Sequence, residues 1–300
     1  MEKVIVLGSI NIDFVYFVSR YPCPGESLFS KDYDIFQGGK GANQAVALAK
    51  LGVPIYMMGK VGEDILGKLV LSSLKQDGID TKEIAKSQIN STGSASIWIT
   101  DNGQNSIVVH SGANEEINEE FVIQNEKYFH KASWFLTQFE IPLQPILLAL
   151  KLAKRYGLKT IIDPAPIRKL ISNNIWGLVD FLLPNEVELK ELTHTKNILK
   201  SIHLLKSWGV KEVIVKLGKE GAGYEDKGKL ITFPAMSVGK VIDTTGAGDC
   251  FLAGFLYGMI KQKDITKAIK IALMTASYSI QKKGAAISFP KQSDIDWTRL

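Results

Sequence analysis

The sequence predicts an α/β fold: a central, mostly parallel β-sheet flanked by helices, with a small antiparallel β-sheet lid. Three observations carry that prediction. Short apolar runs rich in Val, Ile and Phe alternate with longer segments of helical period, the pattern of βα units around a parallel sheet. The runs have few polar breaks, as strands covered on both faces require. Two stretches interrupt the alternation by setting strand beside strand with no helix between.

In chain order the candidate core strands are Val4–Leu7, Ile55–Met58, Trp134–Thr137, Thr160–Asp163, Phe181–Pro184 and Val213–Leu217. Helical period marks Ala42–Leu51, Leu66–Gln76, Glu119–His130, Pro145–Tyr156 and Ile198–Trp208. The interruptions are Asp13–Val18 with Leu28–Phe36, and Ala95–Thr100 with Ser106–His110. Asn102-Gly103 provides the turn of a hairpin in the second pair. These four strands, within residues 13–36 and 95–110, form the expected lid on a single domain of residues 1–300. A small sheet must cover its apolar face with a cleft or a partner, so a homodimer through the lid is expected.

Apolar residues make up 45% and charged residues 22%, enough for a sizeable core. The net charge of +5 is spread over interleaved acids and bases, as in Asp80-Thr81-Lys82-Glu83. That pattern argues against a nucleic-acid partner, which favours a concentrated basic stripe. Cys23 and Cys250 form no CxxC pair, and the four histidines show no ligand spacing. A reducing compartment is therefore expected, and a disulfide scaffold or histidine metal cage is not. The N-terminal apolar run is too short for a signal peptide, and nothing approaches the roughly 20 apolar residues that span a bilayer. The expected location is the cytoplasm, without a membrane partner.

Two glycine-rich segments carry most of the chemical signal. Gly38-Gly39-Lys40-Gly41-Ala42-Asn43-Gln44-Ala45 precedes a helix, where glycines admit close approach of a ligand and the helix start offers free N–H groups. A tight loop before a helix accounts for it equally well. Asp243-Thr244-Thr245-Gly246-Ala247-Gly248-Asp249 ends an apolar approach and opens a second helix running to about Lys261. Phe251, Leu252, Phe255, Leu256, Met259 and Ile260 give that helix one apolar face. A glycine turn at a helix start stabilises anionic charge. Asp249 at the same point is the candidate general base, unless it is only a cap for its own helix. Asn185 with Glu188, and Lys216-Leu217-Gly218-Lys219-Glu220-Gly221, are weaker signals that a cap and a common turn also explain. Their placement strengthens them. Asp163, Asn185, Gly218 and Gly246 all follow predicted strands, and open α/β sheets bind ligands at the carboxyl ends of their strands.

The two glycine segments resemble the signatures of the ribokinase-like (PfkB-type) carbohydrate kinases, and the resemblance covers essentially the whole chain. Gly8-Ser9-Ile10-Asn11-Ile12-Asp13, Pro22-Cys23-Pro24-Gly25-Glu26, His110-Ser111-Gly112-Ala113-Asn114, Gln138-Phe139-Glu140 and Pro164-Ala165-Pro166 are also similar to that family. The resemblance implies phosphoryl transfer from ATP to a pentose, D-ribose first, with 2-deoxyribose or another sugar as the alternative. It implies sugar contacts at Asn11, Asp13, Gly39, Lys40, Gly41, Asn43 and Glu140. Asp249 would be the base, and Gly246, Ala247 and Gly248 the anion hole. Asn185, Lys216, Gly218, Lys219, Glu220, Gly221 and Gly248 would lie along the nucleotide. Glu188 would orient Mg²⁺ through water. An activating K⁺ would be held at Asp243, Thr245, Ser279, Lys282, Gly284 and Ser288. Two positions depart from the family pattern: Cys250 replaces a common Thr, and Leu273 stands where Asn or His is common near adenine.

Two other classes compete. A non-catalytic sugar- or nucleotide-binding protein on the same fold needs no Asp249 beside Gly246 and Gly248. A nicotinamide oxidoreductase would need GxGxxG after the first strand, where Leu7-Gly8-Ser9-Ile10-Asn11 stands instead.

Overall fold

A computed structural model describes residues 2–168, 173–236 and 239–300. The chain opens with β1 (Val4–Leu7), whose alternate side chains enter two different apolar layers. Val4 and Val6 face one, Ile5 and Leu7 the other, because successive strand residues point to opposite faces. β1 lies in a nine-stranded sheet with β4 (Ile55–Gly62) and β5 (Ile84–Ser87) on one side. On its other side follow β8 (Trp134–Gln138), β9 (Lys159–Asp163), β10 (Phe181–Leu182) and β11 (Glu212–Lys216). All these neighbours pair in parallel. A hairpin, β12 (Ala222–Asp226) and β13 (Lys229–Phe233), adds two antiparallel strands at the edge. The sequence alone predicts no strands there.

One layer is built from α1 (Lys40–Lys50), α2 (Ile65–Gln76), α7 (Ala247–Gln262) and α8 (Ile265–Ser279). The opposite layer holds α3 (Glu119–Gln124), α4 (Leu143–Arg155), α5 (Glu186–Thr193) and α6 (Ile198–Ser207). The expected single helix over Glu119–His130 is two pieces. Asn125 ends α3, its amide donates back to the Phe121 carbonyl, and a 3-10 turn continues from Glu126. Nor does α7 bury a single face. Every residue from Asp249 to Ile260 is buried, because α8 and α1 pack against it as well as the sheet.

The strands expected to form the lid make a separate four-stranded sheet of β3 (Asp32–Gly38), β2 (Asn11–Val18), β6 (Gly93–Thr100) and β7 (Asn105–His110), in that order. Its outer pairs are antiparallel as expected, but the central β2–β6 pair is parallel. β2 and β6 both leave the core region in the same direction, and the chain between them returns through the main sheet. Gly103 takes a left-handed backbone in the hairpin turn, with φ of 79°.

Candidate active site

The connections from β1 and β8 run to opposite sides of the sheet, which opens a crevice at their carboxyl ends. Ser9, just past β1, donates its hydroxyl to Glu140, just past β8, across that crevice. The start of α1 sits over the same point: the Lys40 N–H donates to Glu140 at 2.9 Å, and the Ala42 N–H to the Ser9 carbonyl. Gly39, with φ of 84°, makes this approach possible, since a Cβ there would lie 2.8 Å from the Asn11 nitrogen. Lys40, Gly41 and Asn43 are thereby set beside Glu140 and the first residues of β2. Asn11 is buried and accepts from the Asn114 amide at 2.8 Å. Asp13 points toward Gly38, whose missing side chain leaves room for the carboxylate.

Asp249 lies in the first turn of α7 but does not cap it. Gly246 is the cap residue, and no side chain bonds to the helix start. The buried Asp249 carboxylate instead accepts from Asn43 Nδ2 at 3.2 Å and Gln44 Nε2 at 2.9 Å. Lys40 Nζ stands 3.9 Å away. The cap reading therefore fails on geometry. Burial pushes the Asp249 carboxyl upward, against the pull of Lys40.

The two glycines of the turn serve different ends. A Cβ on Gly246 would meet Ala285 Cβ at 2.8 Å and Phe289 at 2.9 Å, and its φ is 74°. A Cβ on Gly248 would have only Lys216 Nζ within 4 Å, at 3.8 Å. Packing thus accounts for Gly246, whereas Gly248 opens onto free space beside an ammonium. The Ala247 N–H donates to the Thr244 carbonyl, so it is already engaged.

Asp163, at the end of β9, is fully buried and gathers three donors: Lys216 Nζ at 2.9 Å, Lys40 Nζ at 3.2 Å and Gln44 Nε2 at 3.0 Å. Burial alone would raise its pKa, but the two lysines override it and hold the group below the usual carboxylate range. Burial likewise opposes the Lys40 charge, and Asp163, Asp249 and Glu140 together more than restore it. Among the described residues Asp13 has no such cation. Burial first, then Glu140 and Asp249, push it up to about 7. Burial also raises Glu188, despite Lys216 nearby.

Asn185 and Glu188 form a capping box at the start of α5. The Asn185 oxygen accepts from the Glu188 N–H, and the Glu188 carboxylate accepts from the Asn185 backbone and amide, all at 2.8 Å. Lys216 turns inward toward Asp163 and Glu188. Gly218, Lys219 and Glu220 form an exposed 3-10 turn, and Gly221 packs against the Phe233 carbonyl. Asp243 accepts from Thr245 and from the Gly284 N–H, which ties the loop before α7 to the segment after α8. Ser279 and Ser288 are buried there and Lys282 is exposed. Cys250 is buried, donating to the Thr275 carbonyl, and Leu273 is a buried residue of α8.

The sequence places Asp163 at a ligand-binding strand end without a specific role and gives none to Gln44, Gln138 or Asn114, although the structure brings all four to the crevice. A signal existed for two of them. Gln44 interrupts the run Ala42 to Leu48, and Asp163 ends an apolar strand, so each is a polar group in a segment destined for burial.

Residues 1–292 match the pfkB family of carbohydrate kinases. A ribokinase of Haemophilus influenzae is 37% identical over 300 residues, covering 98% of this chain and 97% of that protein. A deoxyribokinase of Salmonella typhi is 32% identical, covering 96% and 95% respectively. A structure of Arabidopsis thaliana ribokinase complexed with ribose and ATP superposes with a TM-score of 0.91 at 33% identity, covering 98% of this chain and 97% of that one. With both glycine signatures joined at one crevice, this chain belongs to the pfkB family of carbohydrate kinases.

Proposed function

We propose that this chain is a ribokinase, transferring the γ-phosphoryl group of ATP to the primary hydroxyl of D-ribose to give D-ribose 5-phosphate and ADP. The observation that carries the reading is the buried Asp249 carboxylate, held by side chains of α1 and adjacent to the open space over Gly248. The relatives named as ribokinases, and the likeness to a structure with ribose and ATP, support the choice of substrates.

In this mechanism Asn11, Asp13, Gly39, Lys40, Gly41, Asn43 and Glu140 hold the sugar. Asn43 Oδ1 is buried without a donor among the described residues, an acceptor suited to a sugar hydroxyl. Asp249 takes the hydroxyl proton as the oxygen bonds to the γ-phosphorus. The bond from phosphorus to the bridging oxygen breaks, and its electron pair leaves with ADP. N–H groups at the start of α7 and the Lys216 ammonium offset the charge that spreads over the phosphoryl oxygens. Lys216, with Asn185, Gly218, Lys219, Glu220 and Gly221, lines the nucleotide side. Excluding water by lid closure favours the sugar over hydrolysis.

The donor groups fit the expected ions. Glu188 has both carboxylate oxygens bonded to Asn185, which suits contact with Mg²⁺ through water rather than directly. Bound with ATP, Mg²⁺ would neutralise charge on the phosphate oxygens. Asp243, Thr245, Ser279, Lys282, Gly284 and Ser288 supply an oxygen-only set, with backbone carbonyls included, on two segments already tied together. That set suits a hard monovalent cation such as K⁺.

A homodimer through the lid is part of the proposal. On β7, Ile107, Val108 and Val109 are 52%, 70% and 56% exposed, an apolar edge that a second lid would cover. No helix of the described residues is long and apolar enough to cross a membrane. The cytoplasmic location we propose is supported by the two free thiols, Cys23 and Cys250.

An ADP-release assay over a panel of pentoses and hexoses, run in K⁺ and in Na⁺, tests the proposal. Ribose should turn over fastest, and faster in K⁺. The Salmonella typhi relative motivates a second reading, and higher kcat/KM for 2-deoxyribose would establish it. Sugar binding with no turnover on any substrate would leave only a binding protein.

A further inference from the structure

The side chains around Asp249 form a directed chain of amides that proton abstraction and phosphoryl transfer do not themselves use. Gln44 is fully buried in α1 and donates both hydrogens of its amide, one to Asp249 Oδ1 at 2.9 Å and one to Asp163 Oδ2 at 3.0 Å. Its oxygen accepts from Gln138 Nε2 at 2.6 Å. Gln138, the last residue of β8, is also fully buried, and its own oxygen accepts no hydrogen bond among the described residues.

The direction of this chain is forced. Two carboxylates on one side accept only, so Gln44 must turn its NH₂ to them. Its oxygen then requires a donor, and Gln138 must turn its NH₂ inward to provide one. The leftover oxygen of Gln138 points at Gly8, where even a Cβ would lie 2.1 Å away. A buried acceptor left without a partner is costly, and native cores seldom retain one without a reason. Here the uncompensated end lies farthest from Asp249, and the satisfied end lies on it.

We propose that Gln44, oriented by Gln138, is the positioning residue that holds the Asp249 carboxylate in its reactive orientation and couples it to Asp163. Asn43 also donates to Asp249, but at 3.2 Å, and its oxygen is the one suited to the sugar. Gln44, which takes no part in holding the sugar, is the nearer of the two amides on the base. The charged and titratable groups facing Asp249 from the surrounding elements are Lys40 on α1, Asp163 on β9, Glu140 after β8, Asp13 on β2, Lys216 on β11 and Cys250 on α7. Gln44 is the neutral group that separates the Asp249 and Asp163 anions while donating to both.

The inference rests on Asp249 being the base, so Asp249→Asn is measured beside the test variants. Gln44→Met keeps the side-chain length and removes both donors. Its kcat should fall about tenfold or more, with the sugar KM within about threefold. The acidic limb of its kcat–pH profile should move up by roughly one unit, because the carboxylate has lost a donor that favours its charged form. Gln138→Met should move the same limb in the same direction by less, since Gln44 then keeps its donors but loses its orientation. It also serves if Gln44→Met does not fold. Coincident pH profiles for parent and both variants, or a raised KM at parental kcat, would overturn the proposal. If Asp249→Asn itself keeps parental kcat, the base assignment fails rather than the clamp alone.

Discussion

Replacing Asp13 by Asn should make the protein more stable, and more so as pH rises. The carboxyl of Asp13 is buried beside Glu140 and Asp249 with no cation paired to it among the described residues, and its pKa is raised from 3.8 to about 7. A raised carboxyl pKa means that the folded state holds its proton more tightly than the unfolded chain does. Relative stability is therefore greatest below pH 4, declines between pH 4 and 7 as the unfolded chain ionises while the folded form keeps its proton, and levels off above pH 7 once both are ionised. That rise, at about 1.36 kcal/mol for each pH unit, sets an upper limit of about 4 kcal/mol. Asp13 is not sealed from solvent, so about 2 kcal/mol is the working expectation. For a chain of this size that corresponds to roughly 3 °C in Tm. Thermal unfolding of parent and Asp13→Asn, without sugar, at steps from pH 4 to 8.5 measures the difference directly. The gap should be small at pH 4, open by pH 7 and stay open above it. A gap that is constant across the range, or that closes as pH rises, would refute the charge-repulsion argument. Activity should move the other way, because the carboxamide of the variant offers a sugar hydroxyl one acceptor oxygen in place of the carboxylate pair.

Three further outcomes follow from the same site. Asp249→Asn should lower kcat by about 10²–10⁴ while sugar binding, measured by calorimetry, persists; near-parental kcat would remove Asp249 from the chemistry. Gly248→Ala should keep a near-parental Tm and lose turnover, because its new methyl enters open space, whereas Gly246→Ala should lower stability by about 1–3 kcal/mol through contact with Ala285 and Phe289. The reverse pattern in the two melting curves would contradict the roles given to the glycines. Asp163→Asn should destabilise by about 3 kcal/mol, since it strips a buried anion from Lys40 and Lys216; an unchanged Tm would mean that both lysines find other partners.

The strand and helix alternation was legible because each core strand is a nearly unbroken apolar run, and β1, β8, β9 and β11 lie within a residue or so of the ranges read from it. Other elements were not legible, for identifiable reasons. α8 meets α7 through Ala268, Ala272 and Thr275, small residues that make a weak apolar stripe although the contact is close. The β12–β13 hairpin carries Lys229 and Asp226 at its turn and is only partly buried, so its alternation is faint. The parallel pairing of β2 with β6 joins segments about 80 residues apart, and no local pattern records it.

By itself the sequence determined the architecture and the two glycine signatures, and it singled out Asp249 as a candidate base. It could not distinguish a carboxylate that caps its helix from one that faces a substrate, because both readings place Asp at the same position of the same turn. Only the packing of α1 against α7 removed the cap reading, by bringing Asn43 and Gln44 to Asp249 from about 200 residues away. The folded crevice also buries Asp163 between two lysines and sets Asp13 beside the anions Glu140 and Asp249. Burial and charge proximity are properties of the folded crevice, set by which strand ends lie side by side, and residue order alone does not contain them.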